Sequence, residues 1–296
     1  MRRTASLLSA CAAVAVLLPS AAHGWGFAAH QYITARAIAL LPAAIRPFFL
    51  KYETTVVEHS IDPDTYRTMG WIEEPPRHFV DMDAYGPFPF AELPHDYDAA
   101  VAKYGKEFVE KNGLLPWRLQ QVHDWLTEAF KQQTPYARDN IKLFAAVLSH
   151  YLADAYQPLH ATTNYDGQLT EQYGVHARFE SALFERFQPR LTINPEPAKP
   201  IARPRDAAFD VLLSSYQLVP SLLDADKAAI AGKDVYDDAY FEAFFRGVRP
   251  LLQRRIAESI TATASIIVGA WQEAGKPPVK TEMPRPVQKV RPPRSR

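Results

Sequence analysis

Cysteine is almost missing from this chain: its 296 residues hold one, Cys11, inside an N-terminal apolar run. No intramolecular disulfide can form, so burial or bound metal must hold the fold. Net charge is missing too, with 33 Lys and Arg against 33 Asp and Glu. A balance of that kind, at 22 % charged residues, is too sparse and too even for a disordered polyelectrolyte. The N-terminal apolar run, Leu7–Leu18, is too short to cross a bilayer. No segment sustains a two-residue apolar alternation between turn signals, which argues against a large sheet. No internal repeat is visible.

What is present is 47 % hydrophobic and 12 % aromatic residues, enough for one large globular domain with a sizeable core. The 25 prolines exclude a coiled coil. The neutral total conceals a polar distribution of charge. Arg2 and Arg3 open the chain, and beyond Gly275 seven basic residues face only Glu282. The body between Trp25 and Gly275 is therefore acidic by about eight charges, a poor non-specific nucleic-acid surface and a reasonable cation host.

Arg2-Arg3, the apolar run and the small residues that follow read as a secretory signal, residues 1–24. Ala22 and Gly24 occupy positions −3 and −1 of a cut that leaves Trp25 as the first mature residue. Leu8-Ser9-Ala10-Cys11 offers a rival lipoprotein cleavage box. Export to the periplasm or the medium is the expectation, and neither a transmembrane segment nor an obligate protein partner is expected. The domain is expected over 25–275. The Pro- and Lys/Arg-rich residues 276–296 read as a disordered tail.

The body reads as all-α. Apolar residues recur at three- and four-residue spacing in Trp25–Leu41, Asp98–Lys111, Trp117–Gln132, Pro135–Tyr156, Val175–Phe187, Arg205–Leu223 and Leu252–Trp271. Thr54–Leu93 is irregular and proline-rich, and Pro189–Pro204 is a second proline-rich connection. Thr134 and Pro135 suit the start of the fourth helix. One of its faces carries Ile141, Phe144, Ala145, Leu148, Leu152 and Ala155. The opposite face carries Leu143, Val147, His150 and Asp154, leaving only a narrow polar strip with Lys142 and Ser149. A helix apolar on both sides is buried, and His150 and Asp154 are expected to be buried with it.

His150 and Asp154 stand one turn apart, and His160 follows six residues later. His176 and Glu180 repeat the four-residue spacing. Upstream lie Asp62, Asp64, His78, Asp81 and Asp83, and the expected mature start offers Trp25 and His30. A single His–Asp pair at this spacing is more often a buried hydrogen bond, and His176–Glu180 alone would be a surface pair. Taken together, imidazoles and carboxylates without cysteine suit metal ions with open coordination positions. His59, His95 and His123 show no such partners in the sequence; His123 reads as an ordinary helix residue and His95 as a loop residue.

The blocks Trp25-Gly26-Phe27-Ala28-Ala29-His30, Asp64-Thr65-Tyr66-Arg67, His78-Phe79-Val80-Asp81, His150 to His160 and His176-Ala177-Arg178-Phe179-Glu180 resemble, in order, the zinc-dependent phospholipases C and the S1/P1-type single-strand nucleases. The resemblance runs from Trp25 to about Phe187. It implies a single multi-helix domain with a trinuclear zinc cleft that hydrolyses phosphoric diesters with water activated between zinc ions. By the same carry-over Asp64, His78, His150 and Asp154 hold one ion, and His160, His176 and Glu180 a second. The amine and carbonyl of Trp25, with His30 and a shared Asp154, hold the third. Asp62 is a rival for Asp64; the family pattern favours the aspartate just ahead of a tyrosine and arginine. Asp64 would also act as catalytic proton acceptor.

The implied substrate divides between phospholipid and single-stranded nucleic acid. Glu180 as last ligand is similar to the phospholipases. The Trp25-to-His30 step and the Asp64 and His78 blocks are similar to the nucleases, where Phe79 would stack on a base and Asp81 read its edge. Choline-reading phospholipases carry a glutamate where this chain has Ala28. Arg67 would grip a phosphate in either branch. The alternative from another class is a non-catalytic binding module that retains zinc for stability.

Overall fold

Six helices longer than ten residues carry the fold among the described residues, which are 25–132 and 134–282 of this computed structural model: α1 (Phe27–Leu40), α2 (Leu115–Lys131), α3 (Pro135–Ala155), α4 (Pro204–Tyr216), α5 (Val219–Ile230) and α6 (Asp238–Glu273). No strand occurs among them, so the chain is all-α there. The expected signal, Cys11 and positions 283–296 of the tail lie outside the described residues. No helix among the described residues is long and apolar enough to cross a membrane.

The fold is organised around α3. The Thr134 hydroxyl accepts from the Ala137 amide at 3.1 Å and caps its start. Ile141, Ala145, Leu148, Leu152 and Ala155 are buried on one side and Val147, His150 and Asp154 on the other. Helices α1, α2, α4 and α6 all pack on it, as do the short turns that carry Asp64 and His78. Ser149, expected on a polar strip, is buried instead. Its hydroxyl pairs with that of Thr34 on α1 at 2.8 Å, so even this strip faces protein.

Several expected boundaries shift for identifiable reasons. The helix expected over Asp98–Lys111 breaks into Tyr97–Tyr104 and Lys106–Lys111 at Gly105, whose φ is +85°. The helix expected over Arg205–Leu223 divides into α4 and α5, with Pro220 falling in the first turn of the second. Helix α6 starts fourteen residues earlier than the expected Leu252 and runs through Pro250. The buried stripe Tyr240, Phe241, Phe244, Phe245 and Val248 supports this extension against the packed core. Thr54–Leu93 is not irregular but a chain of short helical turns, including Asp62–Thr68, Pro75–His78 and Met82–Tyr85. Each is too short to show an apolar period.

The proline-rich connection straps the outside of α6. The Lys199 amide donates to the Ser265 hydroxyl at 3.0 Å and the Ile201 amide to the Ser265 carbonyl at 3.2 Å. Residues 276–282 also return to the body, where the Trp271 indole donates to the Pro277 carbonyl and the Tyr52 hydroxyl to that of Thr281.

The segment 76–81 is held against residues 112–115. The Asp81 amide donates to the Asn112 carbonyl at 2.8 Å, and the Phe79 carbonyl accepts from Leu115 at 3.3 Å. Gly113 makes this approach possible: its φ is +101°, and a Cβ there would lie 2.1 Å from the Phe79 carbonyl oxygen. Gly113→Ala is expected to lower stability by about 1–3 kcal/mol, read as a lower urea midpoint at unchanged m.

Candidate metal centre

The candidate ligands reach the centre from six parts of the fold. His30 comes from the first turn of α1, Asp64 from the Asp62–Thr68 helix and His78 from the end of the Pro75–His78 turn. His150 and Asp154 come from the last turns of α3, and His160 from the turn that follows it. His176 and Glu180 come from Val175–Phe187. That segment contains a π-turn over Arg178–Ala182 rather than an uninterrupted α-helix, a distortion frequent at functional sites.

All eight side chains are buried. Three groups could each hold a metal ion: His78, His150 and Asp154; His160, His176 and Glu180; and His30, Asp64 and His150. In the first, Asp154 Oδ2 lies 2.9 Å from His78 Nδ1 and 3.3 Å from His150 Nε2, and the two nitrogens are 3.1 Å apart. In the second, His176 Nε2 lies 2.8 Å from Glu180 Oε2 and 3.1 Å from His160 Nε2. In the third, His30 stacks on His150 with centroids 3.9 Å apart. The expectation paired His30 with Trp25 and Asp154. The structure adds Asp64 and His150 as neighbours of His30, while keeping its Nε2 3.3 Å from Asp154 Oδ1.

The histidines are aimed by the backbone. His150 Nδ1–H donates to the Ser60 carbonyl at 2.8 Å, His160 Nδ1–H to the His78 carbonyl at 2.6 Å and His176 Nδ1–H to the Tyr165 carbonyl at 2.8 Å. A neutral imidazole with its proton on Nδ1 has a bare lone pair on Nε2. With both rings neutral, His160 and His176 point lone pairs at each other across 3.1 Å, an arrangement that a cation between them would satisfy. The carboxylates make the same demand. Both Asp64 oxygens, Asp154 Oδ1 and Glu180 Oε1 are buried without a hydrogen-bond donor, as are both His30 nitrogens. Buried polar atoms rarely stay unpaired, so the residues fit metal ions.

Charge sharing within the cluster shifts its titrations strongly. Burial would raise Asp154, but the imidazoles packed around it, His150 first, hold it well below the carboxylate range. Asp64 is likewise lowered, by His150, His78 and His30 against its burial. Burial lowers His78, yet Asp154, Glu74 and Asp64 outweigh it and lift it to about 9. Burial takes His160 down to about 3 and raises Glu180 to about 7.

The two candidate aspartates separate cleanly. Asp64 faces the cluster, while Asp62 turns outward to His59 Nδ1 at 2.7 Å and the Tyr66 hydroxyl at 3.3 Å. His59 thus has a carboxylate partner that the sequence did not suggest, and so does His95, 3.2 Å from Asp206. His123 is a buried α2 residue in none of the three ligand groups, its Nδ1 3.9 Å from Asp124 and 4.0 Å from Glu273. Trp25 is fully buried and its indole donates to the Ala153 carbonyl at 2.9 Å, which brings Trp25 to the last turn of α3. Arg67 reaches Asp64 at 3.3 Å. Phe79 is half-buried next to His78, and burial with the charge of Asp83 raises Asp81 to about 7. Asp83 itself binds the loop after His160, accepting from the Thr162 hydroxyl and the Thr163 amide at 2.9 and 2.8 Å.

Three supporting residues escaped the sequence reading. Glu74 is buried against the Tyr151 hydroxyl and Arg77, 3.7 Å from His78 Nε2. Gln157 donates to Glu180 Oε2 at 3.0 Å and accepts from the Leu159 amide at 2.6 Å. Asp226, on α5, binds Arg178 at 3.1 Å and the Tyr240 hydroxyl, anchoring the π-turn. Only the carboxylate Glu74, between proline and tryptophan in a short segment, had a visible signal.

No protein-family model matches this chain, and no curated protein does.

Metal uptake should release protons, because His78 and Glu180 carry them near neutral pH and must lose them to act as ligands. Affinity is expected to rise as pH climbs through 7 toward 9. Calorimetric titration of stripped protein with Zn²⁺ in buffers of different ionisation enthalpy measures the proton release; heats independent of buffer would contradict it.

Proposed function

We propose that the protein is an exported zinc-dependent phosphodiesterase. The observation that carries this reading is the convergence of three backbone-aimed histidines and three carboxylates, with unpaired oxygens, on one buried centre. The donor set is nitrogen and oxygen without sulfur, which suits zinc sites that keep positions open to water or substrate. Ligand atoms sharing one zinc at about 2.0–2.2 Å in a tetrahedron lie roughly 3.3–3.6 Å apart. The first two groups are spaced at 2.8 to 3.9 Å, close to that figure. The resemblance of the same blocks to the zinc phospholipases C and S1/P1-type nucleases supplies the reaction class.

Bound zinc would supply an acidified water and a positive field for the phosphoryl oxygens. The residues do the rest. Asp64, Asp154 and Glu180 offset only half the charge of three divalent ions, leaving a centre that attracts an anionic diester. Asp64 lies where it would accept a proton from an attacking water, and Arg67 beside it would orient a phosphoryl oxygen. Phe79 and Asp81, continuous with His78, are the candidates for contacting the substrate beyond the phosphate.

With zinc present, His150→Ala and Asp154→Ala should each abolish hydrolysis of bis(4-nitrophenyl) phosphate, while His123→Ala stays within a few-fold of the parent. Asp64→Ala should abolish it and Asp62→Ala only weaken it. A protein that binds zinc and cleaves neither this diester, single-stranded DNA or RNA, nor phospholipid would be the non-catalytic module. If nucleic acid is the substrate, Phe79→Ala should raise KM for single strands, since stacking on an aromatic is worth about 1–3 kcal/mol per base.

The Trp25 amine, with His30 and Asp154, is the remaining proposed ligand set. Residues left ahead of Trp25 should cost about one zinc per chain and much of kcat while helicity is kept. Metal analysis and circular dichroism of tagged and untagged protein measure this. Full metal content in the tagged form would remove the N-terminus from the site.

A further inference from the structure

One buried carboxylate lies outside the candidate ligands yet grips the segment that carries two of them. Asp226, on α5, is 1 % exposed and binds Arg178. Arg178 opens the π-turn and stands midway between His176 and Glu180 in the chain. It is buried too, and every nitrogen of its guanidinium is engaged. Nε donates to the Tyr240 hydroxyl at 2.9 Å and Nη1 to the Tyr173 carbonyl at 2.6 Å. Nη2 donates to Asp226 Oδ1 at 3.1 Å and to the Gln172 carbonyl at 3.2 Å. Asp226 also accepts from the Tyr240 hydroxyl and, at 2.8 Å, from Gln172 Nε2, which reaches the Leu223 carbonyl of α5 as well. One carboxylate thus joins α5, the first turn of α6, the loop ahead of His176 and the π-turn.

We propose that Asp226 is a positioning residue for the second ligand group, His160, His176 and Glu180, and that an ion held there is coupled to the docking of α5. The proposal rests on the metal-binding part of the reading above and not on its diester chemistry. A π-turn is rare, and its extra residue changes how the side chains along the segment are rotated relative to one another. The 2.8 Å approach of His176 Nε2 to Glu180 Oε2 therefore depends on what holds the turn in place. Arg178 does so from inside the turn, and Asp226 holds Arg178.

Loss of the carboxylate charge would leave a buried guanidinium uncompensated, and the drive to rehydrate it would pull on the turn it opens. The first group stands on other elements, with His150 and Asp154 on α3 and His78 on the Pro75–His78 turn, so the effect is selective. The coupling also runs in reverse. Helix α5 packs along α6, and Asp226 with the Leu223 carbonyl links it to the ligand-bearing segment. If docked α5 orders His176 and Glu180, an ion that ties those two together stabilises docked α5 by the same amount.

The test is titration of stripped protein with Zn²⁺ against a chromophoric chelator, beside hydrogen exchange of α5 with and without zinc. Asp226→Asn should weaken one ion by about ten-fold or more, the scale for contacts that orient metal ligands, and leave the others at the parent's affinity. With Co²⁺ in place of zinc, the absorption it loses should be the component that His176→Ala loses. Tyr240→Phe keeps the ion pair and removes one bond; it should act in the same direction more weakly, and it carries the test if Asp226→Asn does not fold. Asp238→Asn removes an exposed pair with Arg186 on the same helix and should change no ion. Zinc should slow amide exchange in α5 of the parent and not in Asp226→Asn, a dependence that a purely structural contact would not show. The proposal is overturned if both variants hold every ion as the parent does, if all ions weaken equally, or if α5 exchange in the parent ignores zinc. A parent that binds no zinc would overturn it together with the metal reading. A parent that binds zinc, loses the His176 component in Asp226→Asn and cleaves no diester would uphold the positioning role and overturn only the phosphodiesterase.

Discussion

Everything at the centre of this protein depends on burying Asp154 at the end of α3 with one oxygen left without a donor. An ionised carboxylate withdrawn from water costs several kcal/mol unless positive charge reaches it. Histidines supply part of that field: His78, lifted to about 9, lies 2.9 Å away, and His30 and His150 lie 3.3 Å from its oxygens. Asp64 and Glu180 add further buried acid nearby, so protons alone leave oxygens unpaired. Without a disulfide, this part of the fold rests on burial and on a cluster whose unpaired oxygens could hold metal ions.

The geometry is enforced from the second layer outward. Three carbonyls, from Ser60, His78 and Tyr165, decide which nitrogen of three histidines faces inward. Gln157 fixes Glu180, Glu74 backs His78, and Arg178 with Asp226 and Tyr240 pins the π-turn between His176 and Glu180. Rings and carboxylates held this way need little reorganisation when a ligand arrives, the property that makes preorganised sites effective in catalysis.

The segment between Asp64 and His78 faces two ways. Asp64, Arg67 and His78 face inward among charges, whereas Met69, Trp71 and Ile72 face solvent a few residues away. The short helix and the 3-10 turn on either side allow this reversal, because neither is long enough to impose a single amphipathic stripe.

The all-α character and the burial of His150 and Asp154 were legible because α3 is long and apolar on two sides, a pattern local in sequence. The ligand candidates were legible because His and acid at four-residue spacing must share a face. Other features depend on residues far apart in the chain. Asp64 rather than Asp62 turns inward because the Asp62–Thr68 helix packs on α3, and neither residue type nor spacing distinguishes the two within one turn. Glu74, Gln157 and Asp226 each also bind a partner far along the chain, 77, 23 and 48 residues away. The extension of α6 through Pro250 depends on core contacts that outweigh one lost hydrogen bond. Sequence by itself determined which side chains were available and which local face they share; tertiary packing decided their direction, because orientation is set by neighbours that local periodicity does not encode.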